Sequence, residues 1–354
     1  MLAVACTGDA SRSDSARPTI AFLFDGSPSD AELVTSPALA GLELAAHEAG
    51  GVEVEPVNVG LGLDDVTASL RELGDDRGVI AAVVAPWTAP PDGAIQLLAA
   101  EGIPVVSLSW AWGPPSEGKG LWVSLAAGRA REAIILLAGP NPGSGPTLCL
   151  AGQDDATSRA LLSTAAQLGR GAGNPEVRTV GVAEARGPGS ADAVAARIAG
   201  AGCTLLDWVG GADVAASVLS SVAHPPSVVG TSRMKTDPGL ALTSSGAAVF
   251  TVCACADVSL AIDPISQRFV HDLQAESGSP PGPFAVEAYD AAGLVLGLGG
   301  EHPTRAGVAE GLDGLVRFRG LVDSYAFEPD GSRAPGSLRS GIWRASGSRW
   351  LPSP

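Results

Sequence analysis

The chain has 354 residues, and Lys+Arg 22 against Asp+Glu 38 gives a formal net charge of −16, a balance that argues against nucleic acid or an anionic lipid surface as the main partner, because both need a positive footprint. Its 46 glycines and 27 prolines make up about a fifth of the sequence, below the roughly 25–30% that marks low-complexity disorder, and 45% hydrophobic with 17% charged residues describe a core-rich globular chain long enough for two lobes. Lys119 and Lys235 are the only lysines, which excludes most lysine-dependent chemistry.

The chain opens Met1-Leu2-Ala3-Val4-Ala5-Cys6-Thr7-Gly8-Asp9. Small apolar residues run up to a cysteine and then turn polar. This resembles the tail of a bacterial lipoprotein signal peptide, in which Cys6 would carry the lipid. It departs from that pattern in placing Leu2 four residues before the cysteine rather than three, and in showing little of the basic and apolar stretches that precede the cleavage point. A chance Ala-Cys pair is the alternative. Residues 7–18 are rich in Ser, Asp and Arg and read as a tether. No later segment reaches 18 apolar residues, so no later helix is expected to span a membrane.

From residue 19 onward, strands and helices alternate. Residues 19–24 form a short apolar run ending at Asp25-Gly26-Ser27. Ser36 with Pro37 supplies an N-cap and a first-turn proline, Leu39, Leu42 and Ala46 share one face, and Gly50-Gly51 ends the helix. Residues 52–59 alternate as a strand, and 63–73 read as an amphipathic helix. Residues 79–84 (Val-Ile-Ala-Ala-Val-Val) are the pattern of a strand buried on both faces. A helix over 94–100 and a strand over 103–108 follow.

A second series repeats the rhythm. Helices are predicted over 127–137, 156–168, 191–201 and 213–222, and strands over 146–151, 177–182, 203–208, 227–230 and 247–252. Strands alternating with helices of this length imply βαβ units and parallel sheets. The last hundred residues differ, with helices over 262–276, 284–298 and about 306–312, then hairpin turns around Asp330-Gly331. Cys149, Cys203, Cys253 and Cys255 permit two disulfides, but three of them sit in apolar strand-like runs, so bridges and buried thiols stay equally open.

Several segments resemble a known family. They are residues 37–45, 79–86 and Gly102-Ile103-Pro104-Val105-Val106-Ser107 in the first half, then Pro283-Phe284-Ala285-Val286-Glu287-Ala288-Tyr289-Asp290-Ala291, Gly320-Leu321-Val322 with Ala326-Phe327-Glu328-Pro329-Asp330-Gly331, and residues 340–350. In this order and spacing they resemble type I periplasmic binding proteins of the leucine/isoleucine/valine-binding branch that serves ABC importers. The resemblance implies an α/β fold of two Rossmann-like lobes, parallel sheets flanked by helices, joined by three crossovers near residues 121–123, 253–257 and 321–324. The lobes would comprise residues 19–122 with 257–321, and 123–254 with 322–354. It implies an extracytoplasmic protein that captures an amino acid or related small molecule in the inter-lobe cleft and delivers it to an ABC permease, anchored to the plasma membrane through Cys6. The alternatives are a ligand-sensing receptor lipoprotein without transport and, more remotely, a Rossmann-type enzyme.

Enzymatic motifs are absent from the sequence. Lys119 lies between glycines with no hydroxyl residue after it, so no phosphate-binding P-loop forms, and Gly169-x-Gly171-x-Gly173 follows a helix where a dinucleotide fingerprint follows a strand. His47, His224, His271 and His302 are scattered without metal spacing. Asp154-Asp155 is explained by helix capping as well as by paired-carboxylate chemistry. No cofactor or metal is called for.

Ligands of parallel α/β lobes bind beyond the carboxyl ends of strands. The residues expected there are Asp25, Ser27, Trp87, Thr88, Ser107, Ser109, Trp110, Asp154, Trp208 and Thr231. Trp87, Trp110, Trp112 and Trp208 either plug gaps against the opposite lobe or wall a cleft for an apolar, aromatic or cationic ligand. The amino-acid clamp that the resemblance implies is only partly present. Ala85-Pro86-Trp87-Thr88-Ala89 has alanine at the serine position, Ser107-Leu108-Ser109-Trp110-Ala111 carries a bulky ring, and Thr231–Arg233 has no acid for an ammonium. Asp207 and Asp154 are the candidate substitutes, and the ligand need not be a branched-chain amino acid.

Overall fold

The computed structural model describes residues 17–25, 35–60, 63–91, 93–115, 120–139, 147–171, 177–184, 188–256, 258, 261–335 and 341–353. Cys6, Ser27, Lys119 and Asp257 lie outside them, as does Gly173 of the glycine-rich stretch.

A first, wholly parallel sheet has five strands in the order β2-β1-β3-β4-β5. They are β1 (Thr19–Phe24), β2 (Glu53–Asn58), β3 (Val79–Val84), β4 (Val105–Ser107) and β5 (Trp122–Ser124). Helices α1 (Ser36–Ala49), α2 (Leu63–Asp75) and α3 (Ala94–Ala100) connect the first four strands. The alternation along β1 divides the core: Ile20 and Phe22 pack with Ala38 and Leu42 of α1, whereas Ala21 and Leu23 pack with Val66 and Leu70 of α2 and Leu98 of α3. Every residue of β3 is buried, as its unbroken apolar run requires. The start of α1 differs from the expectation: Thr35 is the N-cap, without a side-chain bond, and Ser36 is already helical.

The second sheet has the order β14-β13-β10-β9-β8-β6-β7. Its parallel part contains β6 (Leu148–Gln153), β7 (Val177–Ala183), β8 (Leu205–Val209), β9 (Ser227–Gly230) and β10 (Val249–Cys253), and β13 (Gly341–Ser346) and β14 (Arg349–Pro352) add antiparallel edges. Helices α4 (Arg129–Leu137) and α5 (Ala156–Gly171) cover one face, where Ile135 and Leu161 meet Leu150 and Val229. Helices α6 (Pro188–Ala201) and α7 (Ala212–Ser220) cover the other, where Val194 and Val218 meet Leu206 and Val228. A five-residue helix, α8 (Asp237–Ala241), precedes β10. Both cysteine pairs are bridged, Cys149 to Cys203 across Cα atoms 5.7 Å apart and Cys253 to Cys255.

After β10 the chain returns to the first sheet. Helices α9 (Pro264–Ser277), α10 (Ala285–Gly299) and α11 (Arg305–Leu312) follow. Leu44 of α1 packs with Phe269 of α9 and Val286 of α10. The Arg305 guanidinium donates to the carbonyls of Leu73, Gly74, Asp76, Val79 and Glu101, fastening α11 to the ends of α2 and α3 and to the start of β3. A small ladder, β11 (Arg317–Arg319) with β12 (Ser324–Ala326), precedes the last passage to the second sheet. The first crossover lies a few residues later than expected, because Trp122–Ser124 pairs with β4 as the edge of the first sheet before the chain leaves it. Among the described residues no helix is long and apolar enough to cross a membrane.

Candidate functional site

The carboxyl ends of both sheets' central strands face a common cleft. From the first sheet come Asp25 after β1, Val59 and Gly60 after β2, and residues 85–91 after β3. From the second come residues 154–157 after β6 and Thr231–Arg233 after β9. A cavity of about 310 Å³ lies between them, with Asp25, Gly60, Ala89 and Pro91 on one side and Asp155, Thr157 and Arg233 on the other.

Trp87 bridges the two sides. Its indole N–H donates to the Ser232 Oγ over 2.9 Å, and its carbonyl accepts from the Thr157 hydroxyl at 3.4 Å. The Trp110 ring meets it edge-on, centroids 5.9 Å apart, and the Arg233 guanidinium lies 5.6 Å from its centroid. Trp87 is 3% exposed and has φ 63°, left-handed backbone that a bulky residue rarely adopts. Such strain persists only where surrounding contacts over-determine it, and here those contacts come from both lobes.

Arg233 is 2% exposed and donates to Asp155 Oδ2 (3.0 Å), Ser158 Oγ (3.1 Å) and Gln153 Oε1 (3.3 Å). Gln153 Oε1 also accepts from the Gly211 N–H at 3.0 Å, so one arginine and one glutamine knit the loops after β6, β8 and β9. Asp155 caps α5, accepting from the Ser158 N–H at 2.7 Å and from the hydroxyls of Thr157 and Ser158. Burial pushes its carboxyl up, but the Arg233 charge and these donors outweigh that and hold it below the usual carboxylate range.

The loops of the first lobe are tied in the same way. The Ser107 hydroxyl donates to the Ser109 carbonyl at 2.8 Å, and the Ser109 hydroxyl donates to the Thr88 carbonyl at 2.9 Å. Of the expected residues, Asp25 lines the cavity; Trp87 bridges to Ser232 beside it, Trp110 packs on Trp87, and Thr88, Ser109 and Thr231 lie in the adjoining loops. Thr88 and Thr231 are buried, and the Thr231 hydroxyl has no hydrogen-bond partner among the described residues. Ser107 and Ser109 spend their hydroxyls on loop backbone.

Other residues fall elsewhere. Trp208 is fully buried in the core under α6 and α7, its N–H donated to the Gly211 carbonyl at 3.1 Å, because its place in β8 points it to that face. Trp112 packs into the core of the first lobe. Asp154 pairs with Arg159 on α5. Asp207 is 1% exposed within β8, one of its carboxyl oxygens has no hydrogen-bond partner among the described residues, and burial pushes its carboxyl well above the usual range. Gly60 and Thr157 are cavity residues that the sequence reasoning missed, whereas Arg233, Asp155 and Ala89 stood in the strand-end loops it considered without being among the expected contacts. The signal for Arg233 was its position, three residues past the end of β9 in a Thr231–Arg233 loop that carries no acid. Among the described residues no three His, Cys, Asp or Glu side chains are grouped as metal ligands would be.

The sequence matches the model of a family described as "Periplasmic binding protein" over residues 18–347. No curated protein matches it. Among solved structures it is similar to the branched-chain amino acid transporter substrate binding protein LivJ of Streptococcus pneumoniae in complex with isoleucine, at 14% identity and TM-score 0.71, covering 95% of this chain and all (100%) of that one. It is similar to the leucine binding protein LivK of Thermotoga maritima, at 12% identity and TM-score 0.69, covering 95% of this chain and 98% of that one. It is also similar to a solute binding protein of an ABC transporter from Rhodopseudomonas palustris in complex with benzoate, at 15% identity and TM-score 0.71, covering 95% of each chain. At these identities the likeness is one of fold.

Proposed function

The chain belongs to the periplasmic binding protein family, and from that premise we propose that it captures a small solute in the cleft between its lobes and delivers it to an ABC permease outside the cytoplasm. The observation that carries the reading is the cavity of about 310 Å³ whose walls come from both lobes and which adjoins the Trp87–Ser232 bond between them. A ligand held by both walls favours the closed arrangement over the open one by its differential contacts. In this reading residues 19–124 with 257–321 and residues 125–254 with 322–354 are the two bodies that close, the first boundary lying past β5 because β5 pairs with β4. Cys6 carries the lipid that holds the protein at the plasma membrane, supported by the Leu2–Cys6 pattern and the polar stretch behind it.

The solute is an amino acid or a related compound small enough for that cavity. Arg233 and Asp155 offer opposite charges at one wall and Asp25 a further acid at the other, which suits a polar or zwitterionic molecule. Ala89 lines the cavity where the resemblance implies a serine, so the carboxylate clamp of a branched-chain amino-acid binder is altered. The experiment is a calorimetric and thermal-shift screen of amino acids, their amides, short acids and aromatics. A true ligand at a hundredfold excess over its Kd stabilises by about 2.7 kcal/mol. A leucine or valine hit would overturn the altered specificity, and the absence of a response across the whole set would overturn capture of this solute class.

A further inference from the structure

Trp87 stands in the loop after β3, at the mouth of the cleft, yet it is 3% exposed. Its polar partners come from the other lobe. Ser232 accepts the indole N–H at 2.9 Å, the Thr157 hydroxyl donates to the Trp87 carbonyl at 3.4 Å, and the Arg233 guanidinium lies over the ring, 5.6 Å from its centroid. Thr157 follows β6, and Ser232 and Arg233 follow β9. On its own side of the cleft, Trp110 meets the ring edge-on.

An acceptor for a donor, a cation over a π face and an aromatic edge are the contacts with which a cleft holds a flat aromatic solute. Here a side chain of the protein itself receives them. The backbone bears a cost for this, since φ 63° at Trp87 lies in the left-handed region. Thr157 and Arg233 also line the cavity of about 310 Å³, so the indole sits at its edge, and withdrawal of the ring would join its space to that cavity.

We propose that Trp87 is a built-in occupant of the cleft: its indole takes the seat of an aromatic solute, holds the lobes together in the ligand-free protein, and competes for that seat with any solute large enough to need it. A solute confined to the cavity beside the indole binds without displacing it. The proposal rests on the reading that the lobes open and close about a solute, and does not depend on which solute that is.

The test uses the purified full chain carrying Trp87→Gly, because glycine adopts φ 63° without strain. Indole is the probe and benzothiophene, which lacks the N–H, is its control. Calorimetry reads binding, and small-angle X-ray scattering reads the radius of gyration. Ligand-free Trp87→Gly is expected to have a larger radius than the ligand-free wild type, and indole is expected to restore the wild-type value. Ser232→Ala added to Trp87→Gly should weaken indole about fivefold, the share of one hydrogen bond, and leave benzothiophene unchanged. The wild type, its seat filled, should not bind indole at the concentration that saturates the variant. Ser232→Ala alone, which keeps the ring, should enlarge the ligand-free radius by a smaller amount.

A wild-type radius in ligand-free Trp87→Gly overturns the proposal, as does a wild-type radius in Ser232→Ala if that variant alone folds. So does indole that binds Trp87→Gly without changing its radius, or that binds the wild type as tightly as the variant. Those results would leave capture of an amino-acid-like solute by the wild type standing. A blank solute screen beside indole-dependent closure of Trp87→Gly would instead remove that solute class and keep the built-in occupant.

Discussion

The Trp87 indole in the first lobe donates to the Ser232 hydroxyl in the second, 145 residues away in sequence, over 2.9 Å. The bond lies inside a buried group that includes Arg233 and Trp110, so it is made only when the lobes are together. Trp87→Phe keeps most of the ring and removes the donor. The expected outcome is a loss of about 1 kcal/mol from the lobe–lobe contact, seen as a larger radius of gyration in small-angle scattering of the ligand-free protein. An unchanged radius and unchanged Tm would show that the bond does not hold the lobes.

Among the described residues Arg233 is the cation bonded to Asp155 in the cleft wall, and Asp155 is 28% exposed. Arg233→Met leaves that carboxylate with hydroxyl and amide donors but no opposite charge. Removing one partner of a buried pair costs about 3–5 kcal/mol, and the partial exposure puts the expected loss near 3 kcal/mol, measured by denaturant unfolding. Because Asp155 is held below its usual range, its contribution is present above the unfolded carboxylate range and lost as pH falls through the folded value. The variant should therefore show less of that acid-side loss than the wild type.

Two acids one turn apart on α10 hold two crossovers. The Glu287 carboxylate accepts from the Ala256 N–H at 2.6 Å, and Asp290 accepts from the Leu321 N–H at 2.7 Å and the Tyr325 hydroxyl at 2.8 Å. Burial pushes Glu287 from 4.5 up to about 7, against the opposing Ala256 bond, and Asp290 from 3.8 up to about 6. A carboxyl whose folded value is raised stabilises the fold while protonated, so stability is lost as pH rises from about 4 through 7. At 1.36 kcal/mol per pH unit the Glu287 share is on the order of 3 kcal/mol. Tm should therefore fall between pH 5 and 8, and Glu287→Gln should flatten that slope. A slope left unchanged in the variant would contradict the assignment.

Helices α1 and α10 touch at Gly41, where an added Cβ would strike the carbonyl of Ala285. Alanine in place of glycine ordinarily gains up to about 1 kcal/mol in a helix. Here the backbone of α10 blocks it, and overpacking costs about 1–3 kcal/mol. Gly41→Ala should lower Tm, and a higher Tm would show that the two helices slide apart at little cost.

Much of this architecture was legible one segment at a time. The apolar run of β3 and the alternation along β1 carry their own burial pattern, and the Tyr289-Asp290 segment lies on a helix, α10, that the chain does place against α1. The cleft was legible only as a set of loops. Strand ends could be named, but Trp208 looked like a cleft residue until its strand position turned it into the core, and Asp155 read as the helix cap that it is while only the fold put Arg233 beside it.

The sequence by itself determined the kind and order of the elements, the two-lobe plan, and the positions where strands end, because hydrophobic period and turn residues act between near neighbours. Tertiary structure decided which loop residues meet. Arg233 and Asp155 are 78 residues apart and Trp87 and Ser232 are 145 apart, and neither pair leaves a local signature. Whether the four cysteines bridge and which tryptophans lie at the cleft rather than in the core were settled only when the sheets and lobes packed together.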